Sequence, residues 1–472
     1  MASVEGHAYL LAPATIMTNQ EAITTPAAIA ERPSSDGWFL VIDAPVSARR
    51  DVGGSIAPPA KGVVPWFSRR LLGLPVVLRL ALTAQAAGAR AIVLAPCVER
   101  AALKAALGDD RLKMAVREAD DASPGETRHG ASSIRVPANL VVHRAVFTAL
   151  GTVAARSIVD ATPRDASSER TEELAFVPGV SEESDIWRRA REAAGPYGFA
   201  PIAVTDRAAF DAAQKALLRS LRKPQDGWTS THLNRPISLA ITRRLVATSL
   251  RPNQVSIAIL GVGLLGAFLA SRGTYVSLVA GAALFHAQSV LDGCDGEMSR
   301  LTFRGSHMGE WLDTVGDDLT NYGFFGGAAW GLYTATGRTL YLLLGALTVA
   351  CGLVGSGIEY RYLVKIGSGD LLKYPLGIGK APGPEESAAP KSAMAKMLDA
   401  VAPLFKRDTF VFLTFLGAVA GAVGPLLAIF AVGAVGVLIA VLKAEVRMAR
   451  ERAKGASAPV KPSLVDPVLP RD

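Results

Sequence analysis

Residues 291–321 read LDGCDGEMSRLTFRGSHMGEWLDTVGDDLTN. Asp292 and Asp295 are three apart and share one helix face. Gly309, Asp313 and Asp317 are four apart and share another. Two helices joined by a turn at 301–308 bring these faces together, so that four carboxylates converge on one point. Each ionised carboxylate at membrane depth costs ~2.5–3.5 kcal/mol even on a lenient scale, and four exceed roughly 10 kcal/mol by simple addition. Mutual repulsion raises the cost further. Divalent cations remove both objections. An all-oxygen donor set favours Mg²⁺ or Mn²⁺. The lone thiol of Cys294 and the lone imidazole of His307 do not make a zinc site. The plain alternative is acids that pair with neighbouring cationic side chains.

Two glycines and an arginine complete the chemistry. Gly296 follows Asp295 and lets a ligand approach the backbone, and Gly309 does the same on the Asp313 face. Arg300 offers a planar fork for phosphate oxygens or a nucleobase edge. Metals, a guanidinium and close backbone access together describe a site for phosphoryl transfer, in which one carboxylate accepts the proton of an attacking hydroxyl. Asp318, Glu297 and Glu310 fall off the metal faces, Asp318 as a polar residue facing the bundle. His286 and Gln288 are expected to be hydrogen-bonded inside the bundle.

The elements that must position this site divide the chain of 472 residues in two. Half of the residues are hydrophobic and 19% are charged. The apolar ones are concentrated between 254 and 443. Six spans can be drawn, near 254–271, 275–291, 309–334, 339–358, 409–424 and 425–443. Several are shorter than the ~20 residues a spanning helix needs. The charge distribution favours six, because the 359–408 loop and the tail are rich in Lys and Arg. The turns SRGT, TGR and GP on the other side carry only Arg272 and Arg338. The positive-inside rule places the soluble region and the site in the cytoplasm, on the inner (plasma) membrane. APGPEESAAP, at 381–390, reads as a flexible loop.

Residues 1–222 read as a soluble α/β domain. Strands are expected at 38–45, 89–97 and 138–143, and helices at 98–107 and 206–223, the latter with Thr205 as N-cap. Alternation of strand and helix favours a parallel sheet. Polar segments 119–132 and 160–172 read as loops. Residues 223–253 form a linker with a short interfacial helix, in which Pro236 suits the first turn and Ile237, Ile241 and Leu245 recur at i, i+4 and i+8. The alternative for it is a linker helix packed on the soluble domain. The membrane domain then covers 254–445, and 446–472 is a basic tail. The N-terminus lacks the basic region of a cleaved signal peptide. Three scattered cysteines imply neither a disulfide framework nor a zinc site. The net charge of +8 lies largely beside apolar segments, where it suits anionic lipid. It forms no aromatic-interleaved stripe, so nucleic acid is not an expected partner.

The pattern Asp292-x2-Asp295-Gly296-x2-Ser299-Arg300-x8-Gly309-x3-Asp313-x3-Asp317 closely resembles the signature of the CDP-alcohol phosphotransferases. Ser299 stands where that family usually has alanine. The resemblance implies six transmembrane helices, arranged as a homodimer, with the site open to the cytoplasm. It implies two divalent ions held by Asp292, Asp295, Asp313 and Asp317, with Asp317 as general base. Gly296, Ser299, Arg300 and Gly309 match positions that contact the CDP moiety. The implied partners are a CDP-alcohol donor, an alcohol acceptor and the lipid bilayer. LRPNQVS, at 250–256, is similar to the opening of the family's first span, with Asn253 expected to cap the helix and Pro252 to act as a stop.

KPQDGWTSTHLNRPISLAITRRL and KRDTFVFLTFLG, at 223–245 and 406–417, resemble the bifunctional inositol-phosphate cytidylyltransferase/di-inositol-phosphate phosphate synthases. That branch suggests a phosphorylated polyol such as an inositol phosphate as acceptor. Lys406 and Arg407 then hold its phosphate or, alternatively, serve as positive-inside anchors. The resemblance covers residues 222–445 and is faint before them. A cytidylyltransferase needs a Gly-rich loop followed by Arg and Lys. HAYLLAPATIMTNQEAITTPAAIAER has no glycine run and no lysine. The expectation is a degenerate nucleotidyltransferase-like fold without that activity. The competing readings are an ion-coupled transporter using the acids as a cation site and a catalytically silent membrane anchor. An ion-coupled transporter predicts a second, repeated acidic cluster, which is missing. A silent anchor predicts a damaged signature, and this one is intact.

Overall fold

The computed structural model describes residues 38–43, 64–95, 97–119, 133–150, 173–175, 200–222, 226–376 and 406–453. It is mostly helical, with a small N-terminal α/β region. The expected loops at 120–132, 160–172 and 381–390, and the segment at 7–32, lie outside the described residues.

Five parallel strands form the sheet of the α/β region: β1 (Phe39–Asp43), β2 (Ala91–Leu94), β3 (Ala115–Glu118), β4 (Ser133–Pro137) and β5 (Glu173–Ala175). Their order is β3-β2-β1-β4-β5, so the winding reverses between β1 and β4. Such a reversal belongs to doubly wound sheets. The first two strands are where the apolar runs predict them. The third run also holds a strand, Leu140–Val141, but it pairs antiparallel with Ile202–Ala203 outside this sheet, and the sheet strand lies earlier, at Ser133–Pro137. ANLVVH is apolar, but its residues turn out of the sheet, and the alternation that marks the true strand is the shorter SIRVP. Helices α1 (Val76–Ala86) and α2 (Arg100–Ala106) cover the sheet, and Leu40, Ile42, Leu78, Leu82, Ile92 and Phe147 fill its core.

Helix α3 (Arg207–Arg219) is capped by Asp206, whose side chain accepts from Ala209 N–H at 2.7 Å. The cap is thus Asp206 and not Thr205. A carboxylate binds the exposed amides of a first turn and also suits the positive end of the helix dipole. A π-helical turn, Ser230–Asn234, leads into α4 (Arg235–Leu245). The buried face of α4 is polar: Arg235, Ser238 and Thr242, with Leu239 beside them. Ile237 is 44% exposed, while Ile241 and Leu245 pack against a core that also contains Leu217, Leu239 and Met298. The polar face of the helix closes on Glu297, Ile241 and Leu245 join a core shared with Leu217 and Met298, and Ile237 is turned outward.

Among the described residues, six long or apolar helices follow. They are α5 (Pro252–Ala270), α6 (Tyr275–Thr302), α7 (His307–Thr336), α8 (Thr339–Ile366), α9 (Arg407–Val419) and α10 (Val423–Ala453). Each overlaps one of the six segments drawn from the sequence. By length and composition, α5, α8 and α10 are apolar and long enough to cross a membrane. Helices α6 and α7 have 28 and 30 residues but carry the acids. Helix α9 has 13 residues, a rise of about 20 Å, short of a bilayer core.

Two caps differ from expectation. Helix α5 begins at Pro252 with Arg251 as N-cap, and Gln254 accepts from Arg251 N–H at 2.9 Å. Pro252 opens the helix instead of stopping one, because its missing N–H is harmless in the first turn. Asn253 lies inside α5. The last turn runs through 420–422 with Gly421 at φ 69°, so Gly424 and Pro425 fall within the start of α10.

The α/β region is joined to the end of α6. Arg111 Nη1 donates to the Thr302 carbonyl at 2.9 Å, and Phe303, in the left-handed conformation that ends α6, packs on the α/β core. Gly73, at φ 83°, approaches the Val246 carbonyl so closely that a Cβ would collide with it. Arg111 also grips Asp109 through Nε at 2.6 Å and Nη2 at 2.5 Å. Those bonds hold the Asp109 carboxyl down to about 2. The charged form is thus favoured by folding relative to an ordinary aspartate near ~3.9. Its contribution is complete above about pH 4 and is lost as pH falls through about 2. In detergent, Arg111→Gln is expected to lower the melting temperature at about pH 5, and the gap from wild type should shrink toward about pH 2.5. A gap independent of pH would show that Asp109 does not titrate in this contact.

Candidate functional site

One cavity lies where α5, α6 and α7 meet. Its lining includes Asp292 and Asp295 from α6, Asp313 and Asp317 from α7, Ser256 from α5 and Gln288 from α6. All four signature aspartates therefore reach one space, as the spacing requires. The turn between the helices is short, from Phe303 to Ser306, and Ser306 caps α7 by accepting from Gly309 N–H at 3.0 Å.

Asp295 is 7% exposed, and one of its oxygens accepts from the Ser256 hydroxyl. Across the cavity stands Arg407, the first residue of α9. Its Nη2 is 2.8 Å from Asp317 Oδ1, its Nη1 is 3.3 Å from Asp292 Oδ2, and Nη2 also donates to Gln288 Oε1 at 2.8 Å. The guanidinium thus supplies positive charge between the two helices. Among the described residues, no three acidic, His or Cys side chains are already drawn tightly enough around a point to enclose a metal ion. The donor set still suits hard divalent ions: four carboxylates and a hydroxyl share the cavity, with no thiol or imidazole among its lining residues.

The other predicted residues divide. Arg300 lies back along α6, with Nη1 3.4 Å from where a Cβ on Gly296 would stand. Gly309 has Asn253 Oδ1 3.1 Å from its would-be Cβ, and Asn253 accepts from Ser306 Oγ at 3.3 Å. Asn253 therefore ties α5 to the start of α7 instead of capping α5. Ser299 is half-buried on α6, and its carbonyl accepts from Arg304 N–H at 3.1 Å. Lys406 points away from its neighbour: its Cδ is 3.1 Å from the would-be Cβ of Gly227 in the linker. The structure thus brings Arg407 to the acids and sets Lys406 against the linker.

The off-face assignments stand. Asp318 Oδ2 accepts from Ser356 Oγ at 2.5 Å and Tyr360 Oη at 2.6 Å, and Glu310 accepts from Gly369 N–H at 3.0 Å. Gln288 is hydrogen-bonded as expected. His286 is not: it lies among Phe412 and Phe415, and its Nδ1 has no hydrogen-bond partner among the described residues. Ser256 was not singled out from the sequence. Its position in LRPNQVS, one turn after Pro252, is the signal that could have found it.

This arrangement defines a class: a mostly helical protein with three membrane-capable helices and a carboxylate-lined cavity beside a basic residue. Residues 250–366 match the family described as CDP-alcohol phosphatidyltransferase. The chain is similar to proteins named "Bifunctional IPC transferase and DIPP synthase". The one from Aquifex aeolicus is 34% identical over 118 residues, 25% of this chain and 26% of that protein. The one from Thermococcus kodakarensis is 34% identical over 113 residues, 24% and 25%. The one from Rubrobacter xylanophilus is 41% identical over 129 residues, 26% and 28%. The matched part spans about a quarter of the length of these relatives.

Removing the guanidinium leaves the carboxylates of Asp317 and Asp292 without that partner. Arg407→Gln is expected to lower the unfolding free energy in chelator-containing buffer by roughly 3 kcal/mol, the scale for breaking a buried ion pair. Chemical denaturation in detergent checks this, and an unchanged midpoint would show that the contact carries no stability.

Proposed function

We propose that the chain is an integral membrane CDP-alcohol phosphotransferase. It moves a substituted phosphate group from a CDP-alcohol to an acceptor hydroxyl and releases CMP. The observation that carries this reading is the convergence of all four signature aspartates on one cavity inside the matched domain. The names of the similar proteins favour an inositol phosphate or another phosphorylated polyol as acceptor. The membrane domain has six spans, works as a homodimer and opens to the cytoplasm. The α/β region carries no nucleotidyltransferase activity.

Asp292, Asp295, Asp313 and Asp317 would hold two Mg²⁺ or Mn²⁺ ions. Bound there, the ions neutralise charge on the pyrophosphate. The chain's own residues do the rest. Gly296 and Gly309 leave room for the nucleotide against the backbone, and Arg300 faces its anionic or base edge, with Ser299 beside it. Arg407 draws the acceptor's phosphate toward the acids, while Lys406 stands against the linker. Asp317 takes the proton of the acceptor hydroxyl. The acceptor oxygen forms a bond to the alcohol-bearing phosphorus, and the bond from that phosphorus to the bridging oxygen breaks. CMP leaves with the electron pair.

Purified protein with Mg²⁺ is expected to release CMP from a CDP-alcohol when given a polyol phosphate, across a panel of CDP-inositol, CDP-diacylglycerol and CDP-glycerol. Asp317→Asn should lower that rate by roughly 10²–10⁴-fold while the protein stays folded. A well-folded wild type that releases no CMP from any donor would overturn the reading. Substantial turnover in Asp317→Asn would remove Asp317 as the base.

A further inference from the structure

Helix α6 shows the cavity two aspartates and turns Glu297 to the opposite side. Glu297 has 0% exposure. Its Oε1 accepts from Arg235 Nη1 and from Ser238 Oγ, each at 2.8 Å, and its Oε2 accepts from Thr242 Oγ1 at 2.7 Å. All three donors lie on one face of α4, three and four residues apart. Arg235 also holds Asp226, through Nε at 2.9 Å and Nη2 at 3.1 Å. Gly293 makes the approach feasible, because a Cβ there would stand 3.2 Å from both Arg235 Nη1 and Ser238 Oγ.

Packing alone does not call for this arrangement. A buried ion pair is often no more stable than apolar residues of the same volume. The charge has a neighbour that makes use of it. Arg300 is three residues after Glu297, on the same side of α6. Among the described residues Arg300 makes no side-chain hydrogen bond or ion pair, and it lies over Gly296. It is near enough to Arg235 and Glu297 to feel both charges. Without the Glu297 carboxylate, Asp226 alone is left on Arg235 to offset two guanidinium groups beside one turn of α6.

We propose that Glu297 is a positioning residue for Arg300: its buried charge, with that of Asp226, balances the two guanidinium groups of Arg235 and Arg300, so that Arg300 stays folded over Gly296 and ready for the nucleotide of the donor. This rests on the donor reading of Gly296 and Arg300 given above. Glu297 touches no substrate and acts only through its neighbours.

The test is equilibrium binding of CDP to the full-length protein in detergent with Mg²⁺, together with KM and kcat for CMP release. Glu297→Gln should weaken CDP binding and raise KM by roughly tenfold or more, the scale of one charged hydrogen bond, with a much smaller change in kcat. The double variant Glu297→Gln with Arg235→Gln removes both charges and should recover most of that loss. Thr242→Val removes one bond but keeps the charges balanced. It should lower the melting temperature and leave CDP affinity as in wild type, a result that stays readable even if Glu297→Gln does not fold. CDP affinity that follows melting temperature across these variants, or a double variant no better than Glu297→Gln, would show a packing role only and overturn the inference. Unchanged CDP affinity in folded Glu297→Gln overturns it as well. A wild type that fails to bind CDP overturns the donor reading and this inference together.

Discussion

Carboxylates from two helices are forced into one space, and the structure is organised around the repulsion this creates. Asp292, Asp295, Asp313 and Asp317 line a single cavity. Like charges at such range resist ionisation together, and burial adds to the cost. Arg407 answers part of it from a third helix, touching Asp317 and Asp292 at once. Ser256 answers another part by donating to Asp295. A site that needs positive charge this badly is also one that binds divalent cations and, through them, a pyrophosphate.

Holding that geometry is a problem of helix rotation. A turn of α6 about its own axis would carry Asp292 and Asp295 off the cavity. The helix is fixed from behind by α4, whose Arg235, Ser238 and Thr242 close on Glu297. It is fixed at its end by the α/β region, through Arg111 and the Thr302 carbonyl. One apolar core runs from Leu217 in α3 through Leu239 in α4 to Cys294 and Met298 in α6. The α/β region is therefore a mechanical neighbour of the helix that carries half of the acids. Residues from both sides of the linker take part in that packing.

The departures from expectation share a cause. Thr205 and Asp206 are both acceptable caps, and only the entry path of the chain decides that Asp206 accepts from Ala209. Asn253 has the composition of a cap, yet the nearness of α7 draws it to Ser306. The α4 stripe of Ile237, Ile241 and Leu245 suggests an outward apolar face. Only Ile237 stands outward: Ile241 and Leu245 join the core, and the polar side closes on the fully enclosed carboxylate of α6, which needs its donors. Lys406 and Arg407 are adjacent in sequence, and the start of α9 sends them to different neighbours.

The amino-acid sequence alone determined what depends on period and spacing. The i, i+3 and i, i+4 intervals of the aspartates put them on two faces, and a turn expected at 301–308 leaves those faces little choice but to meet. The alternation of apolar strands and helices likewise determined a parallel sheet. Tertiary structure alone decided what depends on contacts between distant segments: Ser256 on Asp295, Arg407 across 115 positions from Asp292, and Arg235 on Glu297 across 62. No local pattern encodes such pairs, because each is settled by which helices pack together and how each is turned.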